Sequence, residues 1–244
     1  MRSDGRNASE LRPMSFTRKF TGQAAGSVLV SMGRTSVLCT CSIEEKVPPF
    51  LEGKGKGWLS AEYSMLPGST SSRKARDKGG KVDGRSVEIQ RLIGRSLRAI
   101  IHLDKIGERT LWIDCDVLEA DGGTRTASIN GAFVALVDAL DHLKSKKLIP
   151  GAGAVLQDSV AAISMGIVHG RPLLDLCYKE DAEAEVDSNL VMTGSGEFIE
   201  IQGSGEEAVF NEKQLGSLLK LGKQGIKEII QKQKKALGSN WPLD

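Results

Sequence analysis

The sequence predicts a mixed, layered α/β protein. Three observations carry this. β-rich runs and helix-period segments alternate over roughly the first 145 residues, a meander-like series of strands follows Pro150, and a long helix-period segment covers about 212–237. That order fits stacked layers of sheet and helix better than a plain doubly wound sheet.

The elements follow in order. Ser27 to Ser42 holds two β-rich runs on either side of Gly33-Arg34, the pattern of a hairpin. A short strand is expected near Trp58–Met65, within a stretch rich in Gly, Ser, Lys and Arg that reads as a long basic loop over about 68–82. Residues 86–101 place Ile89, Leu92, Ile93, Leu97 and Ile100 at helical spacing, with Arg91, Arg95 and Arg98 as a second, basic stripe. For Arg95 and Arg98 the simplest account of that stripe is a solvated face. A strand over about 110–118 then runs into Gly122-Gly123-Thr124-Arg125-Thr126. A helix from about Ala127 to Leu143 carries an apolar face of Ile129, Phe133, Leu136, Val137 and Leu140. Strands are expected at about 153–168, 172–178, 186–193 and 197–203.

The chain has 244 residues, long enough for one large domain or two small ones. At that length a core needs no disulfide or metal staple. The cysteines are Cys39, Cys41, Cys115 and Cys177, with no C-x-x-C pair, and the three histidines are scattered. A zinc site and a disulfide framework are both disfavoured, and reduced thiols in a cytoplasmic protein are expected. The N-terminal residues lack an apolar h-region, and no uncharged apolar run reaches about 18 residues. Secretion and membrane insertion are therefore disfavoured.

Net charge is only +2, but its distribution is uneven. Residues 73–98 hold nine Lys/Arg against three Asp/Glu, and residues 175–207 hold ten Asp/Glu against one Lys. Residues 212–235 hold seven Lys against two Glu. Basic and acidic blocks in one chain suit a metal-assisted enzyme acting on a polyanion, because cations hold phosphates and carboxylates hold a divalent ion. Solvated faces of opposite sign are the alternative.

The strand–glycine turn–helix at 122–126 is an anion-binding arrangement. Glycines let the backbone approach a ligand, and the first helix amides lack internal partners. Thr124 and Thr126 add hydroxyls, and Arg125 adds a fork matched to phosphate oxygens. Neither a Walker loop nor a dinucleotide fingerprint is present. An ordinary helix start remains the alternative. In the acidic block, Asp181 and Asp187 would lie about 20 Å apart along one straight strand, too far to share an ion. A chain reversal within the polar stretch Lys179 to Glu185 would bring them together, in a two-carboxylate arrangement that suits Mg²⁺. An acidic surface loop is the alternative.

Several motifs together resemble bacterial ribonuclease PH. They are Arg2-x-Asp4-Gly5-Arg6 with Glu10-Leu11-Arg12-Pro13, Val47-Pro48-Pro49-Phe50-Leu51, and Gly57-Trp58-Leu59-Ser60-Ala61-Glu62-Tyr63. Gly84-Arg85-Ser86-Val87-Glu88, Asp114-Cys115-Asp116-Val117, Ala120 to Ser128 and Asp175 to Gly194 continue the pattern. The likeness runs from residue 2 to about 237. It implies a single domain over residues 1–244 with the fold of the second domain of ribosomal protein S5. It also implies a phosphorolytic 3′→5′ exoribonuclease, a nucleotidyltransferase that trims tRNA precursors and other single-stranded 3′ ends. By resemblance, Arg85, Gly123, Thr124 and Arg125 bind the attacking phosphate, and Asp181 and Asp187 hold Mg²⁺ or donate a proton. Arg73, Arg76 and Arg91 hold RNA, and six copies form a trimer of dimers in the cytoplasm. The segment Gly203-Ser204-Gly205-Glu206-Glu207 departs from the expected Gly-Thr-Ala-Glu-Gly. Two rival readings are a catalytically silent RNA-gripping ring subunit and an unrelated phosphate-binding metabolic enzyme. The full phosphate and carboxylate set argues against the first, and the basic loop argues against the second.

Overall fold

A computed structural model describes residues 2, 4–76, 83–206 and 208–243. Lys78 and Lys81 of the basic loop lie outside the described residues. Five strands form the first sheet: β1 (Met14–Arg18), β2 (Gly26–Met32), β3 (Thr35–Glu44), β4 (Trp58–Met65) and β5 (Thr110–Glu119). Their spatial order is β1-β2-β3-β5-β4, antiparallel except for the β4–β5 pair. The hairpin turns at Gly33, whose positive φ of 57° suits glycine. β6 (Val160–Val168), β7 (Arg171–Leu174), β8 (Val186–Thr193) and β9 (Phe198–Gly205) form a second, fully antiparallel sheet in the order β7-β6-β8-β9.

The helices are α1 (Gly84–Arg98), α2 (Thr124–Ser145), α3 (Ala152–Val155), α4 (Tyr178–Ala182) and α5 (Glu212–Leu237). α2 lies between the layers, packed on β2, β3 and β5 on one side and on β6 on the other. The expected apolar face of α2 is buried, but so is most of its circumference, including Ser128, Asn130 and Ala132. A helix between two sheets has no solvent side, so its polar residues must be satisfied internally. Asn130 does this by donating to the Ala162 carbonyl and accepting from the Ala162 amide, at 2.9 and 2.8 Å. That pair fixes α2 against β6. α5 covers β6, β7 and β8, and the buried Gln233 donates to the Val160 carbonyl at 3.1 Å. Among the described residues no helix is long and apolar enough to cross a membrane.

Four boundaries differ from the sequence reading by three residues or more. α2 begins at Thr124, three residues early, because Gly123 takes a left-handed conformation (φ 65°) as its N-cap. Residues 152–155 form α3, and β6 starts only at Val160. β7 stops at Leu174, since Asp175 adopts φ 54° and breaks the strand, and Tyr178 already opens α4. α1 ends at Arg98, with Ala99 as its C-cap.

The approach of α2 to the first sheet depends on Gly26. A Cβ there would sit 1.9 Å from the Ala135 carbonyl oxygen, a backbone atom that cannot swing aside. Gly26→Ala is therefore expected to destabilise by about 3 kcal/mol and lower the thermal midpoint by roughly 6–12 °C. Gly216→Ala, on the exposed face of α5 with nothing within 4 Å of the new methyl, should instead raise stability by about 1 kcal/mol. Calorimetry of the two variants checks both signs.

Candidate active site

A cleft of about 840 Å³ opens where the first turns of α1 and α2, the loop at 68–74 and the start of α4 converge. α1 is capped by Asp83, which accepts from the Ser86 amide at 2.8 Å. α2 has no side-chain cap, because its N-cap is Gly123. Its leading amides are therefore free to face an anion, with the positive end of the helix dipole behind them. Gly122 and Gly123 both need positive φ (76° and 65°). A Cβ on Gly122 would fall 2.5 Å from the Leu176 carbonyl oxygen, so the turn lies directly against the chain leading into α4.

Arg12 holds this junction. Its guanidinium pairs with Asp175 at 2.6 Å, and it also donates to the carbonyls of Asp121 and Gly122. Asp175 is completely buried and additionally accepts from the Arg12 amide at 2.7 Å. Burial opposes the Arg12 charge, but the bonds to Asp175 outweigh it and leave its pKa above the ordinary arginine value. Arg2 adds a buried pair with Glu180 of α4 at 2.6 Å and donates to the Leu174 and Asp175 carbonyls at 2.8 Å.

The anticipated phosphate residues do not all face the same way. Arg85 is exposed and lines the cleft with Gly122, Gly123 and Thr124. The Thr124 hydroxyl accepts from the Tyr63 hydroxyl at 2.9 Å, which leaves its own proton available to donate. Thr126, by contrast, is buried and donates to the Gly123 carbonyl at 2.9 Å, so it serves the turn and not the cleft. Arg125 is partly buried, donates to Gln202 of β9 at 2.8 Å and stands 3.4 Å from Glu88 of α1.

The chain reverses between Asp181 and Asp187 as anticipated, through the single turn of α4. Asp187 feels the charge of Asp181. Burial first, then repulsion from Asp181 and Glu206, pushes the Asp187 carboxyl up to about 6, against the pull of Arg125 and Arg85. Asp181 reaches solvent, yet desolvation by the cleft wall and the charge of Glu206 raise it too, opposed by Arg85, Arg125 and Arg12. Among the described residues, no group of three or more His, Cys, Asp or Glu stands in a metal-binding arrangement.

Of the residues expected to hold RNA, Arg73 lines the cleft, while Arg76 and Arg91 are exposed outside its lining. The stripe on α1 is only partly solvated. Arg95 pairs with Glu200, and Arg98 donates to the Leu59 carbonyl at 2.9 Å and lies 4.9 Å over the Trp58 ring. The sequence reading missed Arg12 and Asp175 as a pair, Tyr63, Gln202 and Glu206. Glu206 had one signal, its place within the acidic block just after a strand end.

Two helix starts, converging arginines and an opposed carboxylate pair define a site for phosphate chemistry on a charged substrate. The 3′ exoribonuclease family matches in both parts, domain 1 over residues 10–140 and domain 2 over residues 158–225. The chain is 57% identical over 243 residues to ribonuclease PH of Halalkalibacterium halodurans, covering 98% of this chain and 93% of that one. It is 54% identical over 248 residues to ribonuclease PH of Bacillus subtilis, covering 99% of each. The chain belongs to the ribonuclease PH family. The fold also superposes on an Archaeoglobus fulgidus exosome structure with RNA bound to the active site, with a TM-score of 0.79 and 21% identity over 95% of this chain and 92% of that chain. Rice Rrp46 gives a TM-score of 0.77 and 23% identity over 97% and 100%.

The raised Asp187 carboxyl has a consequence for stability. Between about pH 4 and 6 the folded state keeps a proton that the unfolded chain, titrating near 3.8, has released. This group therefore makes stability fall as pH rises through that window. In metal-free buffer Asp187→Asn should melt above the parent at about pH 7, with the gap closing towards pH 4. Thermal melts across the pH series check the sign, and a lower midpoint for the variant at neutral pH would contradict it.

Proposed function

We infer that the protein shortens RNA from its 3′ end by phosphorolysis, with inorganic phosphate as co-substrate. The observation that carries this reading is the uncapped, glycine-led N-terminus of α2, facing a cleft that also holds Arg85 and Asp181. Family membership gives the reaction class, and the geometry supports the assignment of roles.

Phosphate has to meet a phosphodiester, so two anions must be brought together. The α2 amides, the Thr124 hydroxyl, Arg85 and Arg125 offset that repulsion and aim the nucleophile. A phosphate oxygen forms a bond to the terminal phosphorus, and the bond to the 3′-oxygen of the penultimate nucleotide breaks. That oxygen leaves with a proton, and the products are a nucleoside diphosphate and an RNA one residue shorter. The new phosphoanhydride keeps much of the bond energy, so the step runs in both directions.

Asp181 and Asp187 fit a divalent ion. They are a repelling carboxylate pair with raised pKa values and few other protein ligands, which matches Mg²⁺ and its retained waters and phosphate oxygens. When bound, Mg²⁺ would neutralise charge developing on the scissile phosphate. Where no ion is bound, the Asp187 carboxyl, pushed up to about 6, is instead suited to hold a proton for the leaving oxygen.

The substrates in this reading are single-stranded 3′ ends, including those of tRNA precursors. Arg73, Arg76 and Arg91 contact the backbone. We assign the protein to the cytoplasm, a setting its four free cysteines fit. We further propose a hexamer, a trimer of dimers, in which loops of neighbouring subunits act on one strand at high effective concentration.

Incubation with a 3′-tailed RNA, with and without phosphate, tests the chemistry. Diphosphates released only with phosphate are expected, and monophosphates released without it would mean hydrolysis. Arg125→Ala should lower activity at low phosphate by about tenfold or more, since a charge-assisted contact is worth roughly 1.5–3 kcal/mol. Arg125→Lys should rescue poorly, because a point charge cannot reproduce the fork. For the assembly, light scattering should give six copies. Joint change of Arg73→Ala and Arg76→Ala should weaken RNA binding and flatten its salt dependence, leaving phosphate affinity alone.

A further inference from the structure

The cleft provides for phosphates with amides, hydroxyls and arginines, but one lining group offers a flat aromatic surface. Tyr178 is the single aromatic among the described residues that line it. The residue is 62% exposed, although aromatics make up only 5% of the chain. Of the other exposed aromatics, Phe20 lies outside the cleft lining and two have partners. Phe50 meets Trp58 edge-on at 5.5 Å, and Phe198 carries the Lys223 ammonium at 4.9 Å. Tyr178 makes no ring or cation contact of that kind among the described residues.

Its position is held firmly. Tyr178 opens α4, and its amide donates to the Asp121 carboxylate at 3.2 Å. The same amide nitrogen lies against Gly122, where an added Cβ would come within 2.9 Å of it. Two residues further on, Glu180 anchors α4 through its buried pair with Arg2. Asp181 follows Tyr178 by three residues, so ring and carboxylate share one side of the helical turn. An exposed aromatic plane is thus fixed beside the glycine turn, on the side of α4 that carries Asp181.

We propose that Tyr178 is a stacking platform for the nucleobase of the 3′-terminal nucleotide, the one that departs as a diphosphate. This rests on the exoribonuclease reading. Every base has a π-face, so such a platform grips the terminal nucleotide without reading its identity. It also separates two tasks. The arginines and amides recognise what all phosphates share, and the ring recognises what only a nucleotide has.

The test compares Tyr178→Ala and Tyr178→Phe in both directions of the reaction. With Tyr178→Ala, the KM for ADP in RNA extension should rise roughly 5- to 150-fold, the range of one lost base stack. The KM for inorganic phosphate in the forward direction should stay within about twofold, because no phosphate contact is removed. Tyr178→Phe should behave like the parent, since stacking needs the ring and not the hydroxyl. An unchanged ADP KM in Tyr178→Ala would overturn the platform. So would ADP and phosphate KM rising together, loss of assembly by light scattering, or Tyr178→Phe matching Tyr178→Ala. If the parent protein neither releases nor incorporates diphosphates, the exoribonuclease reading has failed. Calorimetric titration with ADP and with phosphate then still decides the platform by the same comparison.

Discussion

The buried ion pair between Arg12 and Asp175 is the constraint on which the site depends. The partners are 163 residues apart in sequence, and Asp175 has no exposed surface. A charge so placed is tolerated only when paired and hydrogen-bonded, and removing one partner strands the other at a penalty of about 3–5 kcal/mol. Asp175 takes a left-handed conformation that ends β7 and turns the chain into α4. Arg12 also grips the Asp121 and Gly122 carbonyls. One guanidinium therefore sets the distance between the glycine turn at the head of α2 and the helix that carries Asp181.

Around that joint the electrostatics oppose each other by construction. Arg85 and Arg125 lower the carboxyls of Asp181 and Asp187, while burial and Glu206 raise both and repulsion from Asp181 raises Asp187 further. The balance leaves Asp187 near 6. A cleft built only of cations would hold phosphate but offer nothing for the leaving oxygen. A cleft built only of carboxylates would repel both substrates. In the phosphorolytic reading proposed above, the α2 amides and Arg85 take the first of those tasks and the carboxylates the second.

Local signals were legible in the sequence wherever a segment's own residues decide its state. β4 over Trp58–Met65 and α5 over Glu212–Leu237 fall where the patterns place them, the second ended by Gly238 with φ 56°. The glycine turn and the reversal between Asp181 and Asp187 were also readable. What depends on a distant partner was not. Thr126 looks like an anion ligand until its hydroxyl is found bonded to Gly123 within the turn. Arg98 looks like a surface charge until Trp58 and the Leu59 carbonyl take it up. Arg12 and Asp175 each belong to a recognisable motif, yet only the folded chain shows that they meet. The turn that starts α2 early also sits against distant chain, since a Cβ on Gly122 would meet the backbone at Leu176 and Cys177.

The most direct test of this account is the phosphate dependence of Arg12→Lys. Lysine keeps the charge that Asp175 needs, but a single ammonium cannot also span the carbonyls of Asp121 and Gly122. The variant should fold, and RNA binding should be unchanged. Its KM for phosphate should rise by about tenfold or more, the equivalent of roughly one lost charge-assisted contact in the turn's alignment. A folded Arg12→Lys protein with the parent's phosphate KM would show that the glycine turn holds its position without Arg12, and would contradict the account.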